Sequence, residues 1–195
     1  MLGQDPAYKS EAKIMSAGDH LRGLSYSSDG PDSLAEVERL EQLAGTTLPG
    51  DYREFLLTFG GGYLDAFSPC KGLTPIGDSC SVTRLHSCAE VIQLLDSRVT
   101  PRNMICISYG HDGQTGCLSI AGLDHGLVFA LDTKMRFYWD AEALAKMPHL
   151  DPSIREFFRL RDADELPERP WGYDNCYPMA DSFADFLARL RPESS

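Results

Sequence analysis

Residues 104–132 read MICISYGHDGQTGCLSIAGLDHGLVFALD, and no other stretch so narrows what this chain can fold into. Three apolar runs, at residues 104–109, 116–121 and 127–131, are separated by His111-Asp112-Gly113 and by Asp124-His125-Gly126. Short Val-, Ile-, Phe- and Tyr-bearing runs broken by glycine-containing turns predict an antiparallel β-meander. Asp and Gly at the breaks are turn chemistry: Gly accepts positive φ and Asp bonds the local backbone. A meander puts successive turns at opposite ends of the sheet, roughly 17 Å apart for a five-residue strand. His111-Asp112 and Asp124-His125 therefore cannot act together on one bond. Ser108, Ser119 and Cys117 fall inside strand phrases with no G-x-S-x-G elbow to expose a nucleophile. The stretch points to binding, not turnover.

The flanking segments predict helices. Ser33 with Glu36 is a capping-box pattern, followed by Leu34, Val37, Leu40, Leu43 and Ala44 on an apolar side, with Gly45 placed to end the helix. A second helix begins near Pro49 and carries Tyr52, Phe55, Leu56 and Phe59 on one face. Gly60-Gly61-Gly62 stops it. Glycine-rich backbone can cradle phosphate, but such a loop lies between a strand and a helix start and carries Lys-Ser/Thr. Here the glycines follow a helix, and a helix-to-sheet turn is favoured. Residues 73–76 and 81–86 read as short strands. Ser87 caps a helix over 88–98 with Ala89, Val91, Ile92 and Leu95 inward. Residues 135–139 read as a further strand, and 140–147 and 154–160 as short helical segments. The closing helix is capped by Asp181 or Ser182, with Phe183, Phe186, Leu187 and Leu190 in one stripe and Arg189 and Arg191 suited to its C-terminal dipole.

These elements imply an α+β fold: an antiparallel sheet of about five to six strands around the meander, with helices packed mainly on one face. Three blocks in order, Leu48-Pro49-Gly50-Asp51-Tyr52-Arg53-Glu54-Phe55-Leu56 with Phe59-Gly60-Gly61-Gly62, the meander, and Ala180-Asp181-Ser182-Phe183-Ala184-Asp185-Phe186-Leu187, resemble the SUKH superfamily. That superfamily includes yeast cell-wall-assembly regulators and many bacterial immunity proteins encoded beside polymorphic toxins. The resemblance spans residues 34–190. It implies one domain over 32–191, preceded by an extension at 1–31, followed by a tail at 192–195, and interrupted by a charged insertion at 141–176. It implies a non-enzymatic immunity protein that blocks a toxin by stoichiometric binding. The alternatives are a regulatory scaffold like the eukaryotic branch and a small hydrolase.

Charge bounds the partner. Formal net charge is −11, unlike a nucleic-acid reader, which needs a basic face. Toxins associated with the superfamily often attack nucleic acid and so have a basic cleft, which an acidic protein suits. The six cysteines form no C-x-x-C pair and match no zinc or disulfide framework. Cys80, His86 and Cys88 lack a fourth ligand, so neither metal nor cofactor is expected. Free thiols and the absence of an apolar leader or membrane-length run predict a cytoplasmic protein without direct membrane contact.

Long loops carry function when a rigid scaffold presents them. Residues 161–175 hold Asp162, Asp164, Glu165 and Glu168 beside Trp171 and Tyr173, aromatic anchors ringed by acid. This loop is the expected partner-binding segment, with Asp112 and Asp124 in the meander turns as further candidates. The alternative is a solvated loop whose Trp171 folds back onto the core.

Overall fold

The computed structural model describes residues 18–74, 77–95, 100–101, 103–122, 124–132, 159 and 176–192. The strand expected at 135–139, the helix at 140–147 and the loop at 161–175 lie outside them, as does 154–160 apart from Arg159.

The elements run β1 (Ser27–Ser28), α1 (Leu34–Ala44), α2 (Gly50–Thr58), β2 (Gly62–Thr74), β3 (Gly77–Leu85), α3 (Cys88–Leu94), β4 (Met104–Tyr109), β5 (Thr115–Ser119), β6 (Val128–Leu131), β7 (Cys176–Ala180), α4 (Phe183–Arg189) and β8 (Arg191–Pro192). The strands form one antiparallel sheet in the order β1-β2-β3-β4-β5-β6-β7, with β8 also on β2. The α+β class and the meander are as expected, while the sheet is larger than five or six strands. The further strands are β1, β7 and β8, and β2 and β3 are longer than the short strands expected at 73–76 and 81–86. Pro69 and Gly72 look like breakers, yet Pro69 pairs with Ser79 and the hairpin continues past both. Of the segment 1–31, read as a tail or a loosely docked extension, the described residues 18–31 are docked: Leu21 and Leu24 are buried and Ser27 and Ser28 pair with β2.

Local signals explain where the helices begin. Ser33 and Glu36 close a capping box on α1, and Ser87 and Glu90 close another on α3. Gly45 ends α1 at φ 71°, as a left-handed cap requires. Ser182 caps α4. Apolar faces are narrower than periodicity suggests. Val37 and Leu40 are buried, but Leu34 and Leu43 are about half exposed and Ala89 is exposed.

One face of the sheet packs with α1, α2, α3 and α4 into the main core. Tyr52, Phe55, Phe183 and Phe186 are its largest members, with Tyr52–Phe183 ring centroids 4.8 Å apart and Phe55–Phe183 4.9 Å apart. Met104, Cys106, Cys117, Phe129, Leu131 and Cys176 form a second buried apolar cluster. Strand alternation puts it on the opposite face of β4–β7, away from Ile105, Leu118 and Val128 in the main core.

The described cysteines are all buried. Burial pushes the Cys80 and Cys88 thiols up to about 12, so neither is a thiolate at neutral pH. His86 is buried too, and its Nδ1–H donates to the Cys106 carbonyl at 3.2 Å. Burial lowers its pKa from 6.5. A base depressed in the folded state contributes stability above its unfolded pKa and loses it as pH falls through the folded value. The melting temperature should therefore drop as pH falls below about 6.5. Thermal melts of His86→Gln between pH 7 and 5 should show a shallower decline than wild type. Parallel slopes would show that His86 does not set this dependence.

Candidate partner-binding surface

Register places three side chains in a row. Tyr63 on β2 is the direct partner of Arg84 on β3, and Arg84 is the direct partner of Tyr109 on β4. Directly paired residues share a face. Tyr109 in turn opposes Thr115, and Thr115 opposes Leu131 of the second cluster, so the row lies on the sheet face away from the helices. Irregularities in pairing make this possible. β4 carries one extra residue between Cys106 and Ser108 relative to β5. Without it, Cys106 and Tyr109 would point to opposite faces.

The row is exposed at its ends and fixed in its middle. Tyr63 is 60% exposed and Tyr109 49%, while the Arg84 side chain is only 12% exposed. The Arg84 guanidinium sits 4.2 Å from the Tyr63 ring centroid, within cation–π range. It donates to Glu90 through Nε (2.7 Å) and Nη2 (2.9 Å), and to Asp29 through Nη2 (2.6 Å). Such a fork is a strong, directional arrangement. Those hydrogen bonds, Glu90 foremost, raise the Arg84 pKa. Burial opposes the charge on Glu90, but hydrogen bonds from Arg84 and Ser87 together outweigh it and hold its carboxyl below the usual range.

The acids are positioned by the triple glycine. The Asp29 N–H donates to the Gly61 carbonyl (2.8 Å), the Tyr26 hydroxyl to the Gly60 carbonyl (2.7 Å), and the Asp32 N–H to the Leu56 carbonyl (2.9 Å). A Cβ on Gly60, at φ 64°, would lie 1.9 Å from the Gly30 carbonyl oxygen, and one on Gly61 2.5 Å from the Ser87 nitrogen. Neighbouring backbone fills the space a phosphate would need, so these glycines are a close-packed turn. Asp32 accepts from the Cys88 N–H at 3.2 Å, joining the starts of α1 and α3. Burial raises its pKa.

Of the residues expected from sequence, only Asp124 has a described side chain. Asp162, Asp164, Glu165, Glu168, Trp171 and Tyr173 lie outside the described residues, as does the side chain of Asp112. Asp124 departs from expectation: it is 1% exposed, not on the surface. Its Oδ1 accepts from Ser119 Oγ (2.7 Å) and Asn103 Nδ2 (3.2 Å), which closes the β5–β6 turn from within. His111 and His125 are exposed in turns at opposite ends of β5. Among the described residues, no group of three His, Cys, Asp or Glu is arranged to hold a metal, and no helix is long and apolar enough to cross a membrane. Tyr63, Arg84 and Tyr109 carry no motif; the signal that finds them is strand register.

What the arrangement offers chemically is recognition: two outward aromatic rings flanking a clamped guanidinium, with carboxylates alongside. No individual curated protein matches the chain. The sequence profile of the SMI1 / KNR4 family (SUKH-1) matches residues 31–189.

Proposed function

Because the chain belongs to the SMI1/KNR4 family (SUKH-1), whose members are often immunity proteins of polymorphic toxins, we propose that it neutralises a cognate toxin by stoichiometric binding. The observation that carries this reading is the aromatic row on the open half of the sheet. Tyr and Arg dominate binding hot spots, and anchors already held in place lose little entropy on docking. The net charge of −11 supports a toxin with a basic, nucleic-acid-directed cleft, because complementary fields speed encounter.

The test is co-expression of the chain with the toxin-like product of any gene found next to its own. Restored growth, together with a stoichiometric complex on light scattering, is the expected result. Growth restored by a small molar fraction of the chain would indicate catalytic inactivation and favour the hydrolase reading. A complex with a non-toxic signalling protein would favour a scaffold.

The acidic loop at 161–175 enters as a second contact. Reversing Asp164, Glu165 and Glu168 to Lys is expected to slow association about tenfold at low salt and to flatten its salt dependence. Stopped-flow association across a salt series measures both. An unchanged rate at low salt removes this loop from the encounter surface.

A further inference from the structure

We propose that the Tyr63–Arg84–Tyr109 row is the seat of a Lys/Arg-bearing segment of the partner protein, whose side chains lie along the tyrosine rings with their charged heads on Asp29 and Asp65. The inference deepens the immunity reading and rests on it for the identity of the partner, but not for the chemistry of the surface.

The chemistry follows from what the row leaves unused. Arg84 is already committed to Glu90 and Asp29 and is nearly buried, so it is not offered to an incoming acid. Its carboxylates outnumber it. With Asp65 on β2, whose Oδ1 lies 4.0 Å from His111 Nε2, Asp29 and Glu90 make three acids beside Arg84, a formal −2 with His111 neutral, near two exposed rings. The side chains of Asp29 and Asp65 are 47% and 74% exposed, so both can be reached from outside. Nucleic acid is disfavoured there by like charge. A purely apolar partner would strand the carboxylates without counter-charge as it excluded water. A long basic side chain satisfies both halves, since its methylene stem covers a ring while its head stays with a carboxylate. The exposed tyrosine faces also attract a cation directly. Leu34 and Leu43, the other large exposed apolar side chains among the described residues, lie on α1, outside this row.

The probe is a synthetic nonapeptide of alternating Lys and Gly, titrated into the isotope-labelled full chain and followed by amide NMR shifts. Shifts centred on Asp29, Tyr63, Asp65, Arg84 and Tyr109 are expected. The double variant Tyr63→Ala, Tyr109→Ala keeps the net charge and should weaken peptide binding about tenfold, whereas Leu34→Ala with Leu43→Ala should leave it unchanged. Shifts spread evenly over the acidic surface would mean diffuse attraction only, and shifts centred on another element would relocate the site; either overturns the proposal. Concentration-dependent broadening of the row without peptide would assign it to a second copy of this chain, and also overturns it. The wild-type map decides these outcomes even if the double variant fails to fold. No toxin is used, so a negative result here leaves the co-expression test standing, and failure of that test leaves this one intact.

Discussion

Phe183→Ala is expected to destabilise the protein by about 3–5 kcal/mol, the range for removing a buried aromatic ring. Phe183 is fully buried and meets Tyr52, Phe55 and Phe186, with ring centroids at 4.8, 4.9 and 5.9 Å. It is where α4 docks on α2. The loss includes the transfer term for the ring and the contacts its neighbours would no longer make. In a chain of this size each kcal/mol moves the melting temperature by roughly 2–4 °C, so calorimetry should read a drop of roughly 6–20 °C. A change under roughly 3 °C would show that α4 adds little to the core.

Gly60→Ala should cost on the order of 3 kcal/mol, through two effects that a control separates. The first is conformational: φ 64° lies in the left-handed region, where an L side chain is strained. The second is steric, because the new Cβ would lie 1.9 Å from the Gly30 carbonyl oxygen. That oxygen is backbone and cannot swing aside without moving the segment that presents Asp29. Gly45 has a similar φ of 71° but open space around its Cβ position. Gly45→Ala should therefore cost about 1 kcal/mol, the conformational share alone. Chemical denaturation of both variants gives the difference. Equal losses would remove the close-packed account of the triple glycine.

Helix starts were legible because the signals are local. Ser33 with Glu36, Ser87 as a cap, and Gly45 each act within one turn of backbone, and all three behave as the sequence predicts. The meander was legible because its glycine breaks and its strand phrases are contiguous. The β2–β3 hairpin was legible only in part: short strands were expected at 73–76 and 81–86, but not their extension back to Gly62 and Gly77. Its Pro69 and Gly72 argue locally for a break, and only pairing with β3 overrides them. Exposure of Leu34 and Leu43 was hidden for a related reason: periodicity identifies an apolar side but not how much of it a neighbour covers.

The surface row was the least legible feature. Tyr63, Arg84 and Tyr109 are far apart in sequence and meet only through register, and the register is itself shifted by irregularities in β2 and β4. Asp124 errs in the other direction. An Asp-His-Gly turn looks solvated, yet Ser119 and Asn103 fold over its carboxylate and take it inside.

Strand β2, which is paired on both sides, carries a consequence for folding. It receives β1 at Gly62 and Tyr63 and β8 at Ala66 and Phe67, while His20 Nε2 lies 2.8 Å from the Leu190 carbonyl across 170 positions of sequence. Early and late segments thus close on one strand, and α4 brings Phe183 only just before β8. A nascent chain paused before residue 183 has neither that ring in its core nor β8 along its edge. Closing residue 20 against residue 190 and β8 against β2 are contacts of long sequence separation, and contacts of such long loop closure form slowly. Until β8 docks, the backbone of Ala66 and Phe67 on β2 is an unpaired edge, so aggregation during refolding competes with this closure.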